Sequence, residues 1–250
     1  MEPVFDRFRP DGSLSREEME QMQREIADLA VFDRDVGLTA SGIESGEAVV
    51  AGVDQAFLED RAISAVVAIR DGDVIERASA VTPLSIPYVP GLLAFREGGP
   101  IVDALGELEV DPDLLVFDGS GRIHFRQAGI ATHVGVLFDV PAIGVAKSLL
   151  CGVPASSVDS LAEGDRVAIH ADDSMTAPNG ELVGYAYQNR QYPNSTRINP
   201  LYVSSGHRLT AETAVDCVAA CGGGYKLPEP TRLADRYADE RKRAIEDLNA

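Results

Sequence analysis

The chain has 250 residues, 45% of them hydrophobic, which is enough for one large domain or two small ones with a proper core. Its 22 basic and 40 acidic side chains give a net charge of −18, which argues against binding nucleic acid through a broadly basic surface. An acidic, lysine-poor surface also suits a halophilic protein, because charges more than ~3 Å apart are screened at molar salt, so nucleic acid is not excluded.

The first predicted element is an amphipathic helix over residues 15–30, SREEMEQMQREIADLA. Ser15 and Glu18 have the spacing of a capping box. Its apolar residues recur on one stripe: Met19, Met22, Ile26 and Leu29. Residues 33–47 are rich in Asp, Gly, Ser and Glu and are predicted to form a connector.

Three strand-like runs begin at Ala48: AVVAGVDQAF, ISAVVAIR and VIERASAVT. The last two are joined by the tight turn DGD, so we predict three consecutive antiparallel strands. A helix, LLAFREGGPIVDALGELE, a buried strand, LLVFD, a helix near residues 127–138 and a strand, AIGVAK, follow. This order predicts an α/β fold with a mixed sheet.

Residues 151–195 give the weakest signal, with two strand-like runs, DRVAIHA and ELVGYAYQ, among many Pro, Ser, Asp, Asn and Gly residues. A strand, LYVSSGHR, a helix, TAETAVDCVAAC, a rigid connector, LPEPTR, and a charged helix over 231–248 come next. We find no internal repeat and no long linker. The prediction is therefore an N-terminal helix and connector over 1–47 and a single domain over 48–250.

The opening residues lack the features of a signal peptide, and no apolar run is long enough to span a bilayer. We therefore expect a cytoplasmic protein that has no membrane partner and acts as a monomer. The three cysteines cannot all pair within the chain, and Cys217 and Cys221 fall four apart on a predicted helix. We expect all three thiols, including Cys151, to be reduced and structural.

Two aspartates lie in apolar strands: Asp54 inside VVAGVDQAF and Asp118 at the end of DLLVFD. A buried carboxylate is costly unless it is paired or binds a metal. Each one alone is more often a hydrogen-bonded structural residue. If the two strands are neighbours, however, the pair favours a cation site.

Two further carboxylates are predicted on helices: Glu97 after the proline-rich segment and Asp235 on the terminal helix. Four carboxylates at one sheet edge would supply the hard oxygen ligands that Mg²⁺ needs for phosphoryl transfer. Either helix residue can instead be an ordinary solvated charge, and for Asp235 in so acidic a helix this alternative stays open.

Lys147 ends the strand AIGVAK and is one of three lysines in the chain. A compact ammonium can offset charge that develops on a scissile phosphate. His124, six residues after Asp118, is a candidate to donate to a phosphate or orient water, although a lone histidine is more often structural. His207 is a weaker candidate, and His133 is assigned to the core.

Residues 83–97, PLSIPYVPGLLAFRE, hold Tyr88 between Pro87 and Pro90. Prolines fix φ and remove backbone donors, so this segment is predicted to be a stiff protrusion with an aromatic ring near its tip. The residues alone leave open a simpler interpretation, a surface loop whose tyrosine folds back onto the core.

Six successive motifs resemble those of the endonuclease V family: VAGVDQAF, PYVPGLLAFRE, VFDGSGRIHFRQAGIATHVG, PAIGVAKSLLCG, NPLYVSSGHR and LPEPTRLAD. They run in order over roughly residues 48–240, most of the chain. The resemblance implies a ribonuclease H-like fold, a mixed sheet with flanking helices, and a nuclease of DNA repair directed at deoxyinosine. Two motifs differ from the family's commoner forms, since DGSG replaces Asp-Gly-His-Gly and HFRQ replaces His-Pro-Arg.

The resemblance also implies roles for individual residues. The catalytic set it implies is Asp54, Glu97, Asp118, His124 and Lys147. The metal ligands it implies for Mg²⁺, or Mn²⁺ as a substitute, are Asp54, Glu97, Asp118 and Asp235. The segment around Tyr88 corresponds to a wedge that enters the duplex beside the damaged base. We expect Pro87, Tyr88, Pro90, Gly91, Gly119 and Gly121 to contact the substrate. The glycines would form part of a base pocket, and backbone amides near them would select hypoxanthine.

The implied reaction is hydrolysis of the second phosphodiester 3′ to hypoxanthine, leaving a 3′-hydroxyl and a 5′-phosphate. The expected partner is DNA containing deoxyinosine, with inosine-containing RNA as an alternative substrate. Two other functions stay open: another ribonuclease H-like nuclease acting on RNA or branched DNA, and a non-catalytic acidic adaptor that binds Mg²⁺.

Overall fold

The structure, a computed structural model, describes residues 1–84 and 86–248. Within these ranges, the strands in chain order are β1 (Val50–Phe57), β2 (Arg61–Arg70), β3 (Asp73–Pro83), β4 (Leu114–Asp118), β5 (Ala142–Ala146), β6 (Val153–Pro154), β7 (Arg166–His170), β8 (Leu182–Tyr187) and β9 (Leu201–His207). The α-helices are α1 (Arg16–Leu29), α2 (Ala40–Glu44), α3 (Leu93–Gly106), α4 (Ile130–Phe138), α5 (Ala211–Ala220) and α6 (Glu229–Leu248).

All these strands form one mixed sheet in the order β3-β2-β1-β4-β5-β9-β8-β7-β6. At its centre β1, β4 and β5 run parallel, while β1, β2 and β3 are antiparallel neighbours. From β9 out to β6, each strand is antiparallel to its neighbour. The predicted α/β mixed sheet with three antiparallel strands first is therefore confirmed, and the region with the weakest signal supplies β6, β7 and β8.

Helices cover both faces of the central strands. Successive side chains of β1 point to opposite faces, so the strand contributes to a core on each side. Val53 belongs to a core shared with α3 and α4, whereas Val50 belongs to a core shared with α5 and α6. The N-terminal segment contributes to the first core through Phe8 and Ile26, which are both buried. The N-terminal segment thus packs against α4, which lies on one face of the sheet.

The predicted N-terminal helix is confirmed as α1. The hydroxyl of Ser15 accepts from the Glu18 amide at 3.3 Å, and the Glu18 carboxylate accepts from the Ser15 amide at 2.8 Å. These two bonds complete the capping box. The predicted boundary between 1–47 and 48–250 stays a prediction, and residues 249 and 250 lie outside the described ranges.

Two local predictions are wrong. The connector over 33–47 contains the short helix α2, whose first turn is capped by the Thr39 hydroxyl accepting from the Gly42 amide at 3.1 Å. LPEPTR does not act as a connector, because α6 begins at Glu229 and Pro230 lies in its first turn, where a missing N–H costs nothing. The helix predicted near residues 127–138 is confirmed as α4, which begins at Ile130.

A glycine in β1 determines how closely α6 can approach the sheet. A Cβ atom at Gly52 would lie 2.1 Å from the backbone of Pro230, so only glycine permits this crossing. Asp54 is two residues further along β1 and therefore projects from the same face. Asp235 lies about one helical turn beyond Thr231 on α6, which brings it toward Asp54.

All three cysteines are free and buried, which agrees with reduced, structural thiols. Burial raises the pKa of Cys217 and Cys221 to about 12. Among the described residues, no helix has both the length and the apolar character needed to cross a membrane.

Candidate active site

The two strand aspartates lie side by side at the carboxyl end of the parallel strands. β1 and β4 are neighbours, and their register pairs Val53 with Phe117. Asp54 and Asp118 follow this pair by one residue each. The sequence pattern required adjacent strands for a shared site, and the sheet provides them.

Asp54 lies in an environment that disfavours its negative charge. Burial raises its pKa to about 8, and repulsion from Asp118 and Asp235 adds to the effect, while Lys147 opposes it. One carboxylate oxygen accepts from the Gln55 amide at 2.7 Å. The other, Oδ2, is buried and has no hydrogen-bond partner. A buried acceptor of this kind calls for a proton or a cation.

Lys147 supplies one positive charge to this pair. Its Nζ donates to Asp118 Oδ2 at 2.5 Å, and its side chain is half exposed. Burial alone would lower the pKa of Lys147, but the hydrogen bond from Lys147 to Asp118 and the charges of Asp118 and Asp54 raise it overall. The ammonium is therefore charged at neutral pH and faces the cavity.

Glu97 approaches the aspartates from α3. Burial raises its pKa to about 7, Arg96 opposes the rise and Asp118 adds to it. Arg96 Nη1 lies 3.4 Å from the Glu97 carboxylate, and Arg96 Nε donates to the carbonyl of Ile86 at 3.3 Å. Arg96 thus joins Glu97 to the proline-rich segment.

Some of the predicted site residues line one cavity of about 290 Å³, and others do not. Asp54, Glu97, Asp118 and Lys147 all line it. Asp235 does not line it and is solvent-exposed, although its charge raises the pKa of Asp54. Its assignment as a ligand therefore stays a prediction.

The donor set suits a hard cation. Three carboxylates line the cavity, and the buried Oδ2 of Asp54 has no hydrogen-bond partner. Carboxylate oxygens are the ligands that Mg²⁺ prefers. In the described part of the chain no three acidic, histidine or cysteine side chains converge tightly enough to count as a metal cluster. Lys147 and Arg96 neutralise Asp118 and Glu97 in this arrangement.

A second, smaller cavity of about 150 Å³ lies beside the first. It shares Leu93, Gly119, Ile130 and Ala146 with the carboxylate cavity. Tyr88, Gly91 and His124 also line it. We call this cavity the base pocket and residues 86–91 the wedge loop.

The wedge loop holds its tyrosine away from the core. The Tyr88 side chain is 65% exposed, and Pro87 and Pro90 are exposed as well. The interpretation in which the tyrosine folds back onto the core is therefore wrong. Tyr88 lines the mouth of the base pocket, which adjoins the carboxylate cavity.

His124 belongs to the base pocket and does not line the carboxylate cavity. Its Nδ1 accepts from the Arg126 amide at 3.2 Å, so its Nε2 carries the proton and donates to the carbonyl of Gly91 at 3.1 Å. Burial lowers its pKa to about 4, and Arg126 adds to the effect. A neutral ring with both nitrogens engaged supports the pocket wall and leaves no free nitrogen to donate to a phosphate or orient water.

The glycine turn after β4 is placed differently from the sequence prediction. Gly119 lines the base pocket, but Gly121 does not, since its amide donates to the Ser204 hydroxyl at 3.1 Å. The Gly119 amide donates to the carbonyl of Val145 at 3.2 Å. These two amides are thus already engaged within the protein, and a base would have to be read by other groups.

The other histidines are placed as the weaker sequence arguments indicated. His133 is fully buried and lies 2.7 Å from the carbonyl of Phe8, as expected for a core residue. His207 is buried beside Asp139, with Nε2 3.1 Å from its carboxylate. Neither histidine lines the carboxylate cavity.

Sequence reasoning missed Gln55 and Gln23. Gln55 Nε2 donates to the Ser64 hydroxyl at 2.6 Å and to the carbonyl of Glu97 at 3.0 Å, which fixes α3 against β1. A polar residue beside Asp54 in an apolar strand was its only signal. Gln23 lies on α1 and contacts Gly91, and a glutamine in an acidic helix gives no signal of such a contact.

The endonuclease V family model matches residues 32–236. A protein named Endonuclease V from Natronomonas pharaonis is 69% identical over 242 residues, covering 97% of this chain and 98% of that protein. One from Halobacterium salinarum is 59% identical, covering 95% of this chain and 98% of that protein.

Solved structures give the same result. Endonuclease V from Streptomyces avermitilis aligns with a TM-score of 0.77 at 32% identity, covering 94% of this chain and 95% of that chain. The catalytic domain of human endonuclease V aligns with a TM-score of 0.77 at 31% identity, covering 94% of this chain and 100% of that chain. Ciona intestinalis endonuclease V, in complex with a 24mer DNA containing an inosine followed by a ribo-adenosine, aligns with a TM-score of 0.75 at 26% identity, covering 92% and 98%. The predicted ribonuclease H-like fold is confirmed.

Proposed function

The chain belongs to the endonuclease V family, and we propose that it is a Mg²⁺-dependent endonuclease that cleaves DNA at deoxyinosine. The proposal includes the position of the cut, at the second phosphodiester 3′ to the lesion, with a 3′-hydroxyl and a 5′-phosphate as products. The family assignment favours a nuclease over the acidic adaptor. DNA repair, a cytoplasmic location, a monomeric state and a halophilic origin of the acidic surface stay predictions.

One observation carries the proposal. The unpaired, buried Oδ2 of Asp54 lies in a cavity with Asp118 and Lys147, directly beside a pocket at whose mouth Tyr88 is exposed. Chemistry on a phosphodiester and recognition of a neighbouring base need these two cavities to adjoin.

The carboxylates are proposed to hold the cation, with Asp54 and Asp118 as the principal ligands and Glu97 as the third. A Mg²⁺ ion bound there would stabilise negative charge that develops on the scissile phosphate. The Lys147 ammonium would donate a hydrogen bond to a phosphate oxygen, since it faces the same cavity. Asp118 orients that ammonium through their hydrogen bond.

The wedge loop and base pocket are proposed to handle the damaged base. Extruding a base costs unstacking energy, and a rigid aromatic side chain can fill the gap left in the duplex. Tyr88 is exposed and flanked by two prolines, as such a role requires. The flipped hypoxanthine would then enter the pocket lined by Gly91 and Gly119.

The proposal is tested with an end-labelled duplex that contains one deoxyinosine. We expect a nick that depends on added Mg²⁺ and maps to the second phosphodiester 3′ to the lesion, with Mn²⁺ as a working substitute. The matched duplex with adenine should stay intact, and Asp54→Ala should abolish cutting. Absence of a nick, or equal cutting of the undamaged duplex, would contradict the proposal.

A second substrate, with inosine in an RNA strand, distinguishes DNA from RNA as the preferred substrate. The Ciona relative was solved with DNA in which a ribo-adenosine follows the inosine, so a ribose next to the lesion needs a separate test in this chain. Faster cleavage of the RNA strand than of the DNA strand would identify RNA as the preferred substrate. Cleavage of branched DNA without inosine would favour the other nuclease.

A further inference from the structure

The carbonyl oxygen of Gly91, at the end of the wedge loop, receives three side-chain donors. Gln23 Nε2 donates at 2.9 Å, Arg126 Nη2 at 3.1 Å and His124 Nε2 at 3.1 Å. Gly91 has φ +81°, and a Cβ atom there would lie 3.1 Å from the Phe125 ring. The backbone at this point is therefore held in one conformation by groups from outside the loop.

Gln23 is the one of these donors that comes from α1. Its side chain is completely buried, and its Oε1 accepts from Arg126 Nε at 2.6 Å. Its Nε2 also lies 3.4 Å from the carbonyl of Ala128. Gly91 and Ala128 both line the base pocket, so one amide group connects two of its walls.

The first turns of α1 also pack beside the wedge loop. Met19 shares a buried cluster with Leu92 and Phe95, and the loop residues Ile86 and Val89 pack against that cluster. The family model begins only at residue 32, so α1 lies outside the matched segment. The charge of Glu20, 3.7 Å from Arg126 Nη1, holds the second donor in place from the same helix.

We propose that Gln23 is a positioning residue, through which the N-terminal helix fixes the wedge loop and the wall of the base pocket. It acts by holding the Gly91 carbonyl, and it touches no reacting atom. The inference rests on the proposed function of Tyr88 as a wedge. A residue that served stability alone would leave the mobility of Tyr88 and the preference for duplex substrates unchanged.

The first test measures the loop without any cleavage. The chain has no tryptophan, so Tyr88→Trp places a single fluorescent probe at the tip of the wedge loop. Adding Gln23→Met, which removes the amide at similar length, should lower the fluorescence anisotropy of that probe and raise its quenching by iodide. Gln21→Met is the matched control, because Gln21 is exposed on the same helix and bonds to Glu25. Unchanged anisotropy in the Gln23→Met variant would overturn the inference.

A second variant covers the case in which Gln23→Met fails to fold. Gln23→Glu keeps an acceptor for Arg126 Nε, and its carboxylate, paired with that guanidinium, has no proton to donate to Gly91, so it separates the two bonds. We expect the same fall in anisotropy from Gln23→Glu, with the fold retained as checked by circular dichroism. An anisotropy equal to the parent's would show that the Gly91 bond does not position the loop.

The last test uses the otherwise unchanged protein and single-turnover cleavage. Gln23→Glu should slow cutting of an inosine-containing duplex about 10-fold or more, with a smaller loss on the same lesion in single-stranded DNA. Gln21→Met should match the parent on both substrates. Equal losses for Gln23→Glu on the two substrates would overturn the inference. If the parent cuts neither substrate, the proposed function fails, and the anisotropy experiment still decides whether α1 fixes the loop.

Discussion

Lys147 donates to Asp118 across the boundary between β5 and β4, and this contact couples the charge of the lysine to both strand aspartates. Lys147 opposes the rise in the pKa of Asp54, whereas Asp118 promotes it. The pKa of Asp54 therefore depends on both neighbouring charges, and removing either one changes it.

Lys147→Met should lower the cleavage rate and shift its pH dependence. The pKa of Asp54 is already raised to about 8, and loss of the lysine charge should raise it further. The acid limb of the pH-rate profile should therefore move to higher pH, with a rate loss of about 100-fold at neutral pH. Lys242→Met is the control, since Lys242 does not line the cavity. A profile that falls in height without moving would contradict the coupling.

Asp118→Asn should lower single-turnover cleavage by at least about 100-fold, because it removes a charge that binds the cation and orients Lys147. The fold should survive, since the amide keeps the shape of the carboxylate. Circular dichroism checks the fold, and calorimetric titration with Mg²⁺ checks the loss of affinity. Near-normal cleavage by this variant would remove Asp118 from the site.

In the presence of a chelator, stability should fall as the pH rises. The pKa of Asp54 is raised from 3.8 to about 8 and that of Glu97 from 4.5 to about 7. Between those values the folded chain holds protons that the unfolded chain releases, so each rise in pH favours unfolding. Below the ordinary values both states are protonated, and above the raised values neither is, so the loss is confined to that window.

Urea unfolding at several pH values measures this effect. The free energy of unfolding should fall by up to about 1.4 kcal/mol per pH unit for each such group within the window. Asp54→Asn should flatten the dependence, and added Mg²⁺ should do the same in the parent because the cation replaces the protons. A parent and an Asp54→Asn variant with identical slopes in chelator would show that Asp54 ionises normally.

The two aspartates at the centre of the site could be predicted from the sequence, because a carboxylate in an apolar strand is visible in the local residue pattern. Asp54 interrupts the apolar run of β1, and Asp118 ends the apolar run of β4. Contacts made by helices were harder to predict. Gln23 lies 68 residues from Gly91, and no local pattern encodes a hydrogen bond at that separation. The family resemblance implied a catalytic role for His124, whereas its burial and two hydrogen bonds place it in the wall of the base pocket.

Salt should activate the enzyme before it inhibits it. At a net charge of −18, self-repulsion and repulsion of DNA are both strongest when ionic strength is low. Added KCl screens both effects, and at higher concentration it competes with phosphate contacts. Cleavage rates measured across a KCl series should therefore pass through a maximum. A steady decline from the lowest salt concentration would show that the acidic surface is not an adaptation to salt.

Tyr88→Ala should harm cleavage of duplex DNA much more than cleavage of single-stranded DNA. The ring is exposed at the mouth of the base pocket, where it can occupy the space left by an extruded base. Unstacking a base from a duplex costs a few kcal/mol per step, and most of that cost is absent in a single strand. Single-turnover rates on an inosine-containing duplex and on its isolated strand measure the difference.

Asp54→Ala is the control for this comparison, because the carboxylates serve the chemistry on either substrate and should show no preference between them. Tyr88→Phe separates the ring from its hydroxyl, and we expect it to retain the duplex activity, since filling the gap needs only the ring. The Tyr88→Ala losses decide between two roles for the loop. A larger loss on the duplex means that the ring supports base extrusion. An equal loss on both substrates means that Tyr88 orients the backbone of the wedge loop in general, and the loop would then act by shaping the pocket wall at Gly91.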